Sequence, residues 1–205
     1  MFMVDSKSSA LVRLGVLGSG KGSNLVAVAE ACARGEVAAE VAIVLSDVEG
    51  AGILSQAERL GVAHRFVSPG DYRTKLDEEA ERAYITALRE AEVDLVGLAG
   101  FMRILKGEFL RAFEGRVVNV HPSLLPSFPG LEAWKQALDH GVKWTGVTVH
   151  YVDQGSDSGP IIAQEPVPVR EDDTPESLYA RIQEMEQVLY PKVISTVIES
   201  LMVDG

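Results

Sequence analysis

Strand-like and helix-like segments alternate along the first half of this 205-residue chain, and this alternation restricts the possible folds more than any other feature. Short apolar segments predict strands at residues 11–17, 40–45, 62–67 and 94–98. The segments between them predict helices from about Asn24, near residues 51–60 and over residues 72–90. Strands that are apolar throughout are typical of parallel strands covered on both faces. The pattern therefore predicts an α/β fold: a Rossmann-like, doubly wound and mostly parallel sheet with helices on both faces.

The second half continues with predicted strands at residues 116–120 and 146–152, a helix near residues 132–139 and a long helix from Thr174. Thr148 and His150 alternate with apolar residues, which predicts that one face of their strand is less buried. Pro175 suits the first position of the long helix, whereas Pro191 is expected to kink or break it. Because no repeat or linker divides the chain, we expect a single domain over residues 1–205 whose two halves share one sheet.

Charge and composition restrict the partners and the compartment. The chain has 30 acidic and 19 basic residues, a net charge of -11, which repels a polyanion. Nucleic acid is therefore not expected as a partner, although a small phosphate in a local pocket is compatible with this charge. Residues 1–9 lack the layout of a signal peptide, and no apolar run reaches the ~18 residues of a membrane span. Cys32, the single cysteine, is expected to be a small buried residue in a reducing cytoplasm.

A glycine-rich turn, Gly-Ser-Gly-Lys-Gly-Ser-Asn at residues 18–24, lies between the first predicted strand and the first predicted helix. Glycines at this position let backbone N–H groups approach a phosphate. The turn does not match a nucleoside triphosphate loop, because Gly22 stands where a Ser or Thr would hold magnesium. It also departs from the dinucleotide fingerprint, since Ser23 occupies the third glycine position. The turn favours a phosphate monoester as ligand, and a capped helix without any ligand is the alternative.

Asn119 and His121 are two residues apart where a short apolar strand ends, in the segment Asn-Val-His-Pro-Ser-Leu-Leu-Pro at residues 119–126. Residues i and i+2 of a strand point to the same side, so the amide and the imidazole should emerge together at the strand end. Acyl transfer needs a hydrogen-bond donor for a developing oxyanion and a group that manages protons. The spacing alone favours the alternative, a polar junction between a strand and a turn in which the His is merely hydrogen-bonded.

Four segments together carry a family resemblance. They are Gly-Lys-Gly-Ser-Asn at residues 20–24, Ala-Gly-Phe-Met-Arg-Ile-Leu at 99–105, the 119–126 segment, and Asp-Ser-Gly-Pro at 157–160. The chain closely resembles the phosphoribosylglycinamide formyltransferase family over nearly its whole length. The resemblance implies formyl transfer from 10-formyltetrahydrofolate to glycinamide ribonucleotide in de novo purine biosynthesis, without a metal. It also implies a nucleotide-phosphate-binding half at residues 1–115 and a catalytic and folate-binding half at residues 116–205.

The resemblance also implies roles for individual residues. The implied catalytic set is Asn119, His121 and Asp157. The implied ribonucleotide-binding residues are Gly22, Ser23, Asn24, Gln183 and Glu186, and the implied folate-binding residues are Met102, Arg103, Ile104 and Leu105. Without the resemblance, Asp157 reads as a surface turn residue and Glu186 as a solvated helix carboxylate.

Three alternatives remain, two of them folate-dependent enzymes and the third a binding protein of another class. A methionyl-tRNA formyltransferase is expected to have a basic C-terminal domain, and a formyltetrahydrofolate hydrolase an N-terminal regulatory domain. A phosphate-binding protein without catalysis would not need Asn119, His121 and Asp157 together. His64, His140 and His150 are too scattered to predict a metal site. The sequence leaves the oligomeric state open between a monomer and a homodimer.

Overall fold

A computed structural model describes residues 11–204 of the chain, so the expectation for residues 1–9 lies outside the described part. Seven strands form one sheet in the order β3-β2-β1-β4-β5-β6-β7. The pairs among β1 to β5 are parallel, and β6 is antiparallel to both of its neighbours. The predicted doubly wound and mostly parallel sheet is confirmed, and strands from both halves of the chain contribute to it.

The strands are β1 (Val12–Leu17), β2 (Ala39–Ser46), β3 (His64–Phe66), β4 (Leu95–Leu98), β5 (Val117–His121), β6 (Trp144–Tyr151) and β7 (Ile161–Pro168). The helices are α1 (Ser23–Ala33), α2 (Gly52–Arg59), α3 (Glu78–Glu90), α4 (Gly107–Ala112), α5 (Ala133–Asp139) and α6 (Pro175–Asp204).

Apolar side chains fill both faces of the sheet. On one face α1, α2 and α6 bury residues such as Leu25, Ile53 and Ile182. On the other face α3 and α4 bury residues such as Tyr84 and Phe109. Strands covered in this way must be apolar throughout, which explains the pattern of the early strands. Cys32 is partly buried and packs against the first of these clusters.

Two predicted elements are shorter than expected. The helix predicted from residue 72 begins at Glu78, because the Asp77 side chain accepts a hydrogen bond from Ala80 N at 2.8 Å and caps the helix there. Before this cap, Lys75 forms an isolated parallel bridge with Ile104 instead of helical contacts. The strand predicted at residues 62–67 covers only His64–Phe66, at the edge of the sheet.

Two further elements, α4 and β7, were not predicted. The α4 helix has six residues, too few for a helical period to stand out. Two prolines in β7, Pro166 and Pro168, argue against a strand by pattern, yet β7 lies at the sheet edge, where proline is tolerated.

One expectation for the second half was wrong, and one of the two outcomes expected at Pro191, a break, does not occur. Thr148 and His150 do not mark an exposed face of β6, because both are buried. Pro191 does not end the last helix, since α6 continues through it to Asp204. The start of α6 is as predicted, with Ser177 N donating to Thr174 Oγ1 at 3.2 Å.

The parallel strands end in register at one edge of the sheet. Leu17 at the end of β1 pairs with Leu45 of β2 and Leu98 of β4, and Leu98 pairs with Asn119 of β5. The segments that follow β1, β2 and β4 therefore emerge side by side, where doubly wound sheets bind ligands. Within residues 11–204, no helix is long and apolar enough to cross a membrane.

Candidate active site

One cleft at this edge of the sheet brings all the predicted site residues together. Its volume is about 580 Å³, and its walls come from the glycine-rich turn, the segment after β4, the end of β5, the β6–β7 loop and α6. The predicted residues that line it are Gly22, Ser23, Asn24, Met102, Arg103, Ile104, Leu105, Asn119, His121, Asp157, Gln183 and Glu186.

The glycine-rich turn presents the start of α1 to the cleft. Gly22 precedes the helix with φ of 85°, in the left-handed region that favours glycine, and no side chain caps the helix start. The first N–H groups of a helix have no acceptor within the helix and carry the positive end of its dipole. The turn therefore offers an anion site that begins at Ser23, and no acidic side chain in the first turn of α1 competes for it.

Asn24 and Glu186 form a buried pair deeper in the cleft. Asn24 Nδ2 donates to Glu186 Oε2 at 2.9 Å, and Glu186 is only 5% exposed. Burial raises the pKa of Glu186 to about 7, and the hydrogen bond from Asn24 opposes this rise. Within residues 11–204, the buried Oδ1 atom of Asn24 has no hydrogen-bond donor. A ligand hydroxyl or amine in the cleft could supply it.

An aromatic wall stands beside this pair. Trp134 of α5 stacks on Tyr179 of α6 with ring centroids 3.9 Å apart, and both residues line the cleft together with Gln183. The sequence did not identify this pair, because α5 and α6 are far apart in sequence and each aromatic residue fits a helix core equally well.

The segment after β4 supplies an apolar slot. Met102 is 54% exposed, whereas Leu105 is buried in the core and anchors the segment. Some of its backbone donors are already used, since Met102 N donates to Ser19 Oγ at 2.9 Å and Ile104 N to Thr74 O at 2.9 Å. The Arg103 side chain turns away toward Asp47, with Nε at 2.7 Å from Oδ2. Contacts of this segment with a flat ring would therefore come from the remaining backbone groups and the Met102 side chain.

The loop between β6 and β7 brings Asp157 close to Asn119 and His121, which lie at the end of β5. Asp157 Oδ2 is 3.6 Å from His121 Nδ1 and accepts a hydrogen bond from Gly130 N at 2.8 Å. His121 Nε2 lies 3.0 Å from the carbonyl oxygen of Phe128. A carbonyl only accepts, so Nε2 carries a proton and Nδ1 faces the carboxylate. Asp157 and Phe128 both adopt positive φ, of 53° and 55°, a sign of local backbone strain at the site.

His150 is a further member of this group that the sequence did not identify. Its Nε2 lies 3.1 Å from Asn119 Nδ2 and 3.8 Å from Asp157 Oδ1. Burial lowers the pKa of His150, so the ring is neutral at pH 7, and Nδ1 donates to Tyr151 O at 2.7 Å. Nε2 is then an acceptor that fixes the orientation of the Asn119 amide. The polar alternation in β6 was the available signal, but it was attributed to solvent exposure.

Among the described residues, 11–204, no group of three or more His, Cys, Asp or Glu side chains is placed to hold a metal ion. The arrangement instead joins an anion site, a buried carboxylate, an apolar slot and a group of proton carriers with an amide donor. The fold and the site together fit the class of doubly wound α/β group-transfer enzymes, with a place for a small anion at the start of α1.

Comparison with known proteins identifies the family. Residues 12–194 match the formyl transferase family, and the chain belongs to it. It is 41% identical to the phosphoribosylglycinamide formyltransferase of Bacillus subtilis over 89% of this chain and 92% of that protein. It is 43% identical to the trifunctional purine biosynthetic protein adenosine-3 of Gallus gallus, over 91% of this chain but only 18% of that protein. The crystal structure of glycinamide ribonucleotide transformylase 1 from Symbiobacterium toebii superposes with a TM-score of 0.88 at 46% identity, covering 94% of this chain and 90% of that chain.

Proposed function

We propose that this chain transfers the formyl group of 10-formyltetrahydrofolate to the amine of glycinamide ribonucleotide. The products are formylglycinamide ribonucleotide and tetrahydrofolate, in the de novo purine pathway of the cytoplasm. The observation that carries the proposal is that the anion site at α1 and the Asn119, His121 and Asp157 group open into one cleft. The relatives named phosphoribosylglycinamide formyltransferase support the same substrates.

Binding of the ribonucleotide begins at the start of α1. The backbone N–H groups from Ser23 onward would hold the phosphate, as an uncapped helix start favours an anion. The Asn24 and Glu186 pair lies next along the cleft, where Glu186 can accept from ligand hydroxyls and Asn24 Oδ1 can accept one more donor. Gln183, one helical turn before Glu186, completes this side. The ribonucleotide amine would then point toward His121.

The folate would occupy the other end of the cleft, against residues 102–105. An apolar slot with a few backbone hydrogen-bond groups suits a flat heterocycle. This folate slot belongs to the first half of the chain, whereas the division at residue 115 implied by the resemblance assigns folate binding to the second half.

Formyl transfer requires one bond to form and one to break. The amine nitrogen attacks the formyl carbon, and the bond between that carbon and N10 of the folate then breaks. The Asn119 amide, fixed by His150, and the His121 ring would stabilise the negative charge that develops on the formyl oxygen. Asp157 would take the proton from the amine through water, and one proton must finally reach N10.

The function is tested by measuring consumption of 10-formyltetrahydrofolate with and without glycinamide ribonucleotide. Consumption should require the ribonucleotide. In Asp157→Asn, which keeps the size and removes the charge, kcat should fall by at least about 10²-fold, while ribonucleotide affinity changes little because the anion site lies elsewhere. Folate turnover without the ribonucleotide would overturn the proposed substrate, and near-normal turnover by Asp157→Asn would remove Asp157 from the mechanism.

A further inference from the structure

A polar cluster of Ser19, Asp47 and Arg103 joins the two substrate-binding segments of the cleft, and its central residue Asp47 is buried. Ser19 belongs to the glycine-rich turn after β1, Asp47 follows β2, and Arg103 lies in the segment after β4. These three strands end in register at the same edge of the sheet, which explains how residues so distant in sequence meet.

Each member of the cluster connects to another segment. The Ser19 hydroxyl donates to Asp47 Oδ1 and accepts from Met102 N at 2.9 Å. Arg103 Nε donates to Asp47 Oδ2 at 2.7 Å, so both carboxylate oxygens are engaged. A backbone hydrogen bond from Ser19 N to Gly100 O, at 3.0 Å, also links the same two segments. The turn and the segment after β4 therefore cannot shift independently while the cluster is intact.

Asp47, at the centre of the cluster, does not line the cleft. The Asp47 side chain is 1% exposed, and its oxygens face Ser19 and Arg103, not the cleft. The Arg103 guanidinium also donates to the carbonyl oxygens of Tyr72 and Arg73, which holds it against the protein. A charge pair that is largely shielded from solvent and has satisfied hydrogen bonds fixes one arrangement of the segments that it joins, and removal of one partner is costly.

We propose that Asp47 is a positioning residue that couples the two substrates, so that ribonucleotide bound at the turn strengthens folate binding at residues 102–105, and the reverse. This proposal rests on the proposed function, because it takes the turn as the phosphate site and residues 102–105 as the folate site. When bound phosphate restricts the motion of the turn, the hydrogen bonds of Ser19 and Asp47 also restrict the positions of Met102 and Arg103. By linkage, the effect on affinity must be the same in both directions.

The coupling can be measured by calorimetry with tetrahydrofolate, which lacks the formyl group and cannot react. The dissociation constant of tetrahydrofolate is measured with and without saturating glycinamide ribonucleotide. In the unaltered protein the ribonucleotide should tighten tetrahydrofolate binding by about 5-fold or more, the lower end of typical coupling between sites. In Asp47→Asn, which keeps the size and removes the charge, the ratio should fall below about 2-fold.

A matched control variant distinguishes a specific loss of coupling from a general loss of protein stability. Asp173 and Arg181 form a pair of nearly equal burial, with side chains 3% and 19% exposed against 1% and 18% for Asp47 and Arg103. Neither Asp173 nor Arg181 lines the cleft. Asp173→Asn should keep the coupling ratio of the unaltered protein. Ser19→Ala, which removes only the hydroxyl, should lower the ratio and provides the test if Asp47→Asn does not fold.

The outcomes distinguish the coupling from the function. If the unaltered protein binds both ligands with a ratio near 1, the coupling is overturned and the proposed function stands. The coupling is also overturned if Asp47→Asn keeps the full ratio, or if Asp173→Asn loses as much of it. Failure of the unaltered protein to bind glycinamide ribonucleotide at all would instead overturn the proposed function, and the coupling with it.

Discussion

Glu186 shows how a single buried carboxylate can link ligand binding to pH. The residue projects from α6 into the cleft, where Asn24 is its hydrogen-bond partner. Burial raises its pKa from 4.5 to about 7. In the folded protein the carboxyl group is therefore protonated over a pH range in which it is ionised in the unfolded chain. Near neutral pH a small change in the surroundings, such as a bound ligand, shifts its charge.

The raised pKa predicts a specific effect on stability. Between pH 4.5 and about pH 7 the folded state binds more protons than the unfolded state, so the contribution of Glu186 to stability is lost as pH rises through this window. Glu186→Gln removes this contribution. In urea titrations from pH 4 to pH 8, the variant should lack a decline on the order of 3 kcal/mol that the unaltered protein shows.

Glu184, two residues earlier in the same helix, is exposed and provides the control for Glu186. Glu184→Gln makes the same chemical change and should retain the pH dependence of the unaltered protein. If Glu186→Gln also retained it, the burial of Glu186 would not be the source of the pH dependence.

Individual site residues differed in how far the sequence could predict them. The i, i+2 spacing predicted that Asn119 and His121 lie together at a strand end, and the structure places them so. His150 lies opposite Asn119 in the antiparallel β5–β6 pair, and a local pattern contains no information on that register. Placing Asp157 beside His121 required the family resemblance, since only the β6–β7 loop brings them together. Contacts between distant segments depend on strand order and register, which periodicity does not determine.

At the scale of elements, the glycine-rich turn contains glycines with different tasks. Gly22 has φ of +85°, and a Cβ atom there would lie 2.8 Å from Ile53 Cα in α2. Gly20 has no atom within 4 Å of the equivalent position. The turn thus needs glycine at 22 for both its backbone conformation and its close packing against α2, whereas position 20 has room for a side chain.

This difference predicts unequal effects of the same substitution. Gly22→Ala should lower the free energy of unfolding by at least about 1–2 kcal/mol, the cost of a left-handed residue other than glycine, and should weaken ribonucleotide binding by displacing the start of α1. Gly20→Ala should leave the free energy of unfolding nearly unchanged. Urea unfolding and calorimetric titration of both variants test this, and equal destabilisation would contradict the assigned role of Gly22.

The accuracy of the element predictions followed the strength of the local signals. Buried apolar strands such as β2 and β4 were predicted within two residues of their ends, because covering both faces of the sheet demands unbroken apolar sequence. The start of α3 was misplaced, since the residues before Asp77 have a helical composition but pair with the segment after β4. The β7 strand was missed because its two prolines argue against a strand, although a strand at the sheet edge tolerates them. Tertiary contacts, not propensity, decided both cases.

At the scale of the whole molecule, charge and topology together select the kind of substrate. The chain carries a net charge of -11, yet its cleft has an uncapped helix start that attracts an anion. A small phosphate can reach this local site, because the helix start acts at short range. A long polyanion would have to approach the surrounding acidic surface as well, and its repulsion there grows with length.

The same contrast predicts discrimination between formyl acceptors. Initiator methionyl-tRNA and glycinamide ribonucleotide both present a primary amine, so the chemistry at Asn119, His121 and Asp157 does not separate them. Binding should separate them, since nucleic acid affinity depends on basic residues that contact phosphates, and this protein has an acidic excess. We expect kcat/KM for the tRNA to be at least about 10³-fold lower, the low end of the ratio between specific and non-specific nucleic acid binding.

The measurement is formyl transfer to each acceptor from the same donor at low and at high salt. Added salt screens repulsion, so any residual tRNA reaction limited by the acidic surface should rise with salt, whereas a true tRNA substrate would react less as salt increases. Comparable rates for the two acceptors at low salt would show that the acidic surface does not select the substrate.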